Sequence, residues 1–107
     1  NGMALEHASK GLQNNKKIVL AAVEQNGMAL EHASNKLKND PIFIMDAVQI
    51  NGLAYQYAND YIKKQKEIVL AAVTQNSEVI ELLSEEIKPT IIKILKDNNE
   101  KYIKRER

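Results

Sequence analysis

The chain repeats itself at short range. Asn1-Gly2-Met3-Ala4-Leu5-Glu6-His7-Ala8-Ser9 returns unchanged as Asn26 to Ser34, returns altered as Asn51 to Asn59, and fades at Asn76 to Ser84, a period of 25 residues. A second block keeps step with it as Ile18 to Val23, Phe43 to Val48 and Ile68 to Val73, with Ile94-Leu95 as its last trace. A fixed period constrains the fold more than composition does. A unit this small cannot bury its apolar face alone and has to stack on its neighbours. The chain therefore reads as one helical-repeat domain over 1-107, with units at about 1-25, 26-50, 51-75 and 76-107. Residues one period apart form a column, and each column is expected to do one structural job.

Asn-Gly between apolar runs is also a strong hairpin signal, so strands have to be weighed. Ala4, Leu5, Ala8 and Leu12 fall on one helical face rather than alternating. The pairs Ile18/Ala22 and Val19/Val23 tip the second block to helix as well. The expected fold class is all-α, a short α-solenoid of stacked helix-turn-helix repeats. Eight helices are expected, at about 2-11, 15-25, 28-37, 41-50, 53-63, 65-75, 77-87 and 89-105. Gly27 and its column are expected at C′, in the left-handed conformation that closes a helix. Asp40-Pro41 reads as an N-cap followed by proline at the first helical position, with Asn14 or Asn15 capping one unit earlier. Alanine columns through Ala4, Ala8 and Ala22 predict close helix approach.

Fifteen Lys+Arg against 14 Asp+Glu leave a formal charge of +1, too little for a nucleic-acid partner held by bulk charge. There is no cysteine, so disulfides, thiolate metal sites and cysteine nucleophiles are excluded together. Apolar runs stay far below the roughly 18 residues of a membrane span, so no membrane partner is expected. His7 and His32 share a column with Tyr57 and Leu82, which marks a packing position and not a metal site. Ser9, Ser34 and Ser84 share one with Asn59, read as late in the first helix of each unit. They have no base and orienting acid at helical spacing. The four glycines are scattered and form no phosphate loop. No enzyme activity, catalytic residue, cofactor or metal is expected.

Residues that break a column without structural gain are the candidates for function. Asp46 replaces the alanine of Ala21 and Ala71, Ile50 the glutamine of Gln25 and Gln75, and Tyr61 stands with Gly11, Lys36 and Glu86. Tyr57 lies four residues before Tyr61, predicting a two-ring stripe on one helix face. The alternative is that Tyr55, Tyr57 and Tyr61 fill gaps between helices. In the final helix, Tyr102 and Ile103 return after the polar stretch Asp97-Asn98-Asn99. The partner-binding residues are therefore expected to be Ile50, Tyr57, Tyr61, Tyr102 and Ile103. The basic end Lys104 to Arg107 is either a solvated run or a contact for an acidic surface.

The phrase IVLAAVxQNGxALxxAS, present as Ile18 to Ser34, resembles the consensus of an uncharacterised tandem-repeat family, a domain of unknown function found in multi-repeat proteins. The resemblance covers nearly the whole chain except the last helix and carries no catalytic residues. It implies kinship with small translocated effectors of intracellular bacterial pathogens, one of which inhibits transglutaminase-like enzymes that act on ubiquitin. The expected function is then a non-enzymatic interaction module, an inhibitor of a transglutaminase or deamidase-type partner enzyme. Its expected location is the cytoplasm, with translocation into a host cell. The alternative is a structural spacer from a larger multi-repeat protein. Because Asn1 to Ser9 repeats an internal copy unchanged, Ala4, Leu5 and Ala8 are expected to need a cover, either an earlier helix or a second subunit, and a homodimer is expected.

Overall fold

The structure, a computed structural model, describes residues 7–106, with side chains described for 7–98. Its α-helices are α1 (Lys10–Gln13), α2 (Lys16–Gln25), α3 (Asn35–Lys38), α4 (Pro41–Ile50), α5 (Asp60–Lys63), α6 (Lys66–Gln75) and α7 (Lys88–Glu106). The 3-10 helices Gly27–His32, Gly52–Tyr57 and Ser77–Leu82 lie between them, and among the described residues there is no strand. Long helix, 3-10 helix and short helix follow one another in that order, each type recurring 25 residues on.

The long helices form where the sequence places them, for reasons that can be named. Asn15 Oδ1 accepts from the Ile18 N–H at 3.1 Å, and Asp40 Oδ1 from the N–H groups of Ile42 and Phe43 at 3.0 and 3.3 Å, with Pro41 opening α4. Helix α6 starts at Gln65 with no side-chain cap and relies on packing. Each helix buries pairs four residues apart: Val19/Val23 in α2, Phe43/Ala47 and Ile44/Val48 in α4, Ile68/Ala72 and Val69/Val73 in α6. Of the alanines in these columns, Ala29, Ala33, Ala47, Ala54, Ala58 and Ala72 are buried and Ala22 is half-buried.

Each long helix ends at an asparagine, and here the glycine expectation needs correction. Asn26, Asn51 and Asn76 are extended, and their Oδ1 atoms accept from the N–H two residues on, at 2.9, 3.1 and 2.9 Å. That side-chain turn reverses the chain without a left-handed residue. No glycine among the described residues has positive φ. Gly27 and Gly52 are instead buried at the start of the 3-10 helices, where neighbouring chain comes too close for a side chain. A Cβ on Gly52 would lie 2.5 Å from the Ala72 carbonyl oxygen.

The second correction concerns the helices expected over 28-37, 53-63 and 77-87, each of which is broken. Ala33 and Ser34 adopt ψ of 159° and 154°, and Ala58 and Asn59 160° and 164°. Serine and asparagine compete for nearby backbone groups and so favour helix starts over helix interiors. Ser9 Oγ, Ser34 Oγ and Asn59 Oδ1 accept from the N–H groups of Leu12, Leu37 and Ile62 at 3.3, 3.2 and 2.8 Å. This column caps the short helix; it does not lie late in a long one. In the last unit, residues 85–87 form a turn that runs into α7. Most of the helix expected over 2-11 falls outside the described residues.

The same capping residues tie successive units together. The Ser34 N–H donates to the Gln13 carbonyl at 2.9 Å and its hydroxyl to Asn14 Oδ1 at 2.6 Å. One period on, Asn59 donates through its N–H to the Lys38 carbonyl at 3.4 Å and through Nδ2 to Asn39 Oδ1 at 2.7 Å. Two apolar columns are covered in the inner units and partly bare in the first. Leu37 and Ile62 are buried where Leu12 is 44% exposed, and Phe43 and Ile68 where Ile18 is 39% exposed.

Candidate functional site

Helix α4 turns Phe43, Ile44, Ala47 and Val48 inward, which leaves Ile42, Asp46, Gln49 and Ile50 on the solvent side. Ile50 is 39% exposed and Ile42 is 75% exposed. Sequence reasoning singled out Asp46 and Ile50 and missed Ile42. The signal was available, since Ile42 shares a column with Lys17 and Glu67. Ile50 also lacks a bond that Gln75, one period on, makes. Gln75 Oε1 accepts from the buried Gly52 N–H at 2.5 Å, and Gln75 Nε2 donates to the Ile50 carbonyl at 3.4 Å. The aliphatic side chain of Ile50, one period earlier, has no acceptor to offer Gly27.

The tyrosines separate into three environments. Tyr55 is buried, and its hydroxyl donates to the Lys63 carbonyl at 2.6 Å, the position that in earlier units receives the next capping N–H. Tyr57 is half-buried at the end of its 3-10 helix, and Tyr61 is 74% exposed on α5. The expected two-ring stripe on one helix is not formed, because Ala58 and Asn59 break the chain between the rings. Ile50, Tyr57 and Tyr61 thus lie on three separate elements. Tyr102 and Ile103 fall within α7, and their side chains lie outside the described residues.

Burial pushes the Tyr55 hydroxyl from the ordinary 10 up to about 12. Burial also raises Tyr57, with a smaller push from the Glu31 carboxylate. A raised tyrosine favours the neutral form in the fold. Its contribution is therefore complete below pH 10 and is lost as pH climbs toward 12. Tyr55→Phe should lose one hydrogen bond, about 1 kcal/mol at neutral pH, and should then show a shallower alkaline decline than the parent. Thermal melts across that window check this; parallel declines would assign the alkaline loss to other groups.

The Ser34 hydroxyl both donates to Asn14 and accepts from Leu37, so it is held as a cap with no base beside it. Among the described residues no group of three or more His, Asp or Glu is placed to hold a metal ion. An open groove of about 610 Å³ along the start of α7 carries Lys88, Lys93 and Lys96, but Glu85 and Asp97 share its walls. Among the described residues no helix is long and apolar enough to cross a membrane.

A family model described as "Domain of unknown function (DUF4116)" matches the chain twice, over residues 1–38 and 40–88. The boundary between the matches falls at Asn39, between α3 and α4, and the second match ends as α7 begins. Each match thus closes after a short helix or its equivalent turn. No curated protein and no solved structure matches the chain. With most of its length matched by the family model, the chain belongs to the DUF4116 family.

Proposed function

We propose that the chain is a short α-solenoid that works as a non-enzymatic protein-interaction module. Recurrence of the same three helical elements every 25 residues, and dimensions of 54 × 27 × 21 Å, support the solenoid. The observation that carries the binding reading is apolar exposure at Ile42, Ile50 and Tyr61, where the neighbouring units carry Lys17 and Glu67, Gln25 and Gln75, and Lys36 and Glu86. Packing does not account for them, since Tyr61 is largely in water and Ile50 displaces a glutamine that bonds to backbone. By the resemblance noted for the repeat phrase, an enzyme of transglutaminase type is the first partner class to try, with the chain as its inhibitor in the cytoplasm of a host cell. The reading includes a homodimer through the first unit, where Leu12 and Ile18 are bare while Leu37 and Phe43 are covered.

The test uses one substitution the repeat already carries, Ile50→Gln, and the truncation of an exposed ring, Tyr61→Ala. Ile50→Gln and Tyr61→Ala should leave the melting temperature within a degree or two, and Ile50→Gln restores the acceptor found at Gln75. Each should weaken capture of the partner tenfold or more, about 1.4 kcal/mol. Equal loss of stability and capture would make these packing residues. A chain that retains no stoichiometric partner would be a spacer, and a monomer mass in sedimentation equilibrium would remove the dimer.

A further inference from the structure

Ile42, Asp46 and Ile50 lie four residues apart on the solvent side of α4, about 12 Å of helix at 1.5 Å per residue. The same line reads Lys17, Ala21, Gln25 on α2 and Glu67, Ala71, Gln75 on α6. Only the middle helix has been rewritten as apolar, acidic, apolar. Its neighbour α6 packs alongside it, and two open grooves follow the seam between them. One, of about 310 Å³, is walled by Ile42, Met45 and Asp46 on one side and Glu67 and Ile68 on the other. The next, of about 370 Å³, has Gln49 facing Leu70, Ala71 and Thr74.

The grooves have an apolar lining and charge of one sign. Asp46 and Glu67 are their ionised groups, and no lysine or arginine lines either groove. Among the described residues neither acid has an ion-pair partner within the chain. A shallow apolar seam between two helices suits aliphatic side chains from a third, set at i and i+3 or i+4. The acids ask that helix for cations beside its apolar face. A second copy related by a two-fold axis through α4 would bring Asp46 against its own counterpart, like charge on like.

We propose that the α4–α6 seam is the docking site for an amphipathic helix of a partner protein, with aliphatic anchors in the two grooves and lysine or arginine reaching Asp46 and Glu67. This rests on the interaction-module reading and specifies the chemistry of the partner.

A synthetic amphipathic peptide of about 14 residues, four helical turns with leucine on one face and lysine flanking it, serves as the probe. An otherwise identical peptide with glutamate for lysine is the control. Amide chemical-shift titration of the full chain should show saturable binding of the lysine peptide, with shifts confined to α4 and α6. Fluorescence anisotropy should place its affinity at least tenfold above the glutamate peptide. Ile42→Lys and Asp46→Ala, which install residues already present at Lys17 and Ala21, should each weaken it severalfold without lowering the melting temperature. Equal binding of the two peptides, shifts centred elsewhere, or variants that bind like the parent would overturn the assignment. Concentration-dependent shifts of α4 in the free chain, abolished by Ile42→Lys, would give the seam to a second copy and overturn it too. Capture of a partner that survives Ile42→Lys but is lost in Tyr61→Ala would sink this docking site and leave the interaction-module reading standing.

Discussion

Gly52→Ala destabilises the chain by about 2–3 kcal/mol, while Gly27→Ala, at the same position one unit earlier, lowers stability by about 1 kcal/mol. The difference lies in what a new Cβ meets. At Gly52 it lands 2.5 Å from the Ala72 carbonyl oxygen, a backbone atom fixed inside α6. Relief requires the 3-10 helix Gly52–Tyr57 to lift off α6, which also strains the Gly52 N–H bond to Gln75. At Gly27 the obstacle is the Asn51 side chain, at 2.9 to 3.0 Å. That side chain can rotate, at the expense of its bonds to the Val23 carbonyl and the Leu53 N–H. Urea unfolding of the two variants decides the matter, and equal losses would show that the close approach to α6 is not what demands a glycine at Gly52.

Phe43→Ala is expected to be the most damaging of the simple truncations, at about 3–5 kcal/mol. The ring is 1% exposed in the centre of the core, so removing it leaves a cavity. Ile18→Ala changes the same column where the side chain is 39% exposed, and should lower stability by no more than about 1 kcal/mol. For a domain whose total stability falls in the usual range of about 5–15 kcal/mol, the first change threatens folding and the second does not. Denaturation midpoints for the pair give the answer; similar shifts would mean that Ile18 is covered in solution, as a dimer through the first unit requires.

The long helices were legible because two independent signals agree there. Apolar residues at helical spacing start directly after a capping side chain, Asn15 or Asp40, and stop at an asparagine. The interrupted segments were not legible from periodicity, because Ala29, Ala33 and Leu37 still fall at intervals of four although the chain breaks between the second and third. The cue was chemical: Ser9, Ser34 and Asn59 stand three residues before a leucine or isoleucine whose N–H they accept from. The glycines misled for a related reason. Asn-Gly suggests a left-handed residue, whereas the asparagine side chain makes the turn and the glycine answers a neighbour distant in sequence. Of the surface, Ile50 and Tyr61 were visible as column breaks, and Ile42 would have been had α4 been compared position by position with α2 and α6. The separation of Tyr57 from Tyr61 depended on the break at Asn59, and so was lost with it.

The bonds that join one unit to the next reach only a short way along the chain. Ser34 to Asn14, Asn59 to Asn39, Gly52 to Gln75 and Asn51 to Val23 span 20, 20, 23 and 28 residues. Each therefore closes a loop of about one unit, and the entropy of closure grows only slowly with loop length. Low contact order of this kind favours rapid folding, since no segment has to search for a partner at the far end of the molecule. It also makes length cheap to vary. In the solenoid proposed above, inserting or deleting a whole unit leaves every surviving segment with the same neighbours to find, so a gene encoding such a chain can lengthen by duplication, or shorten by loss of a unit, while its product still folds.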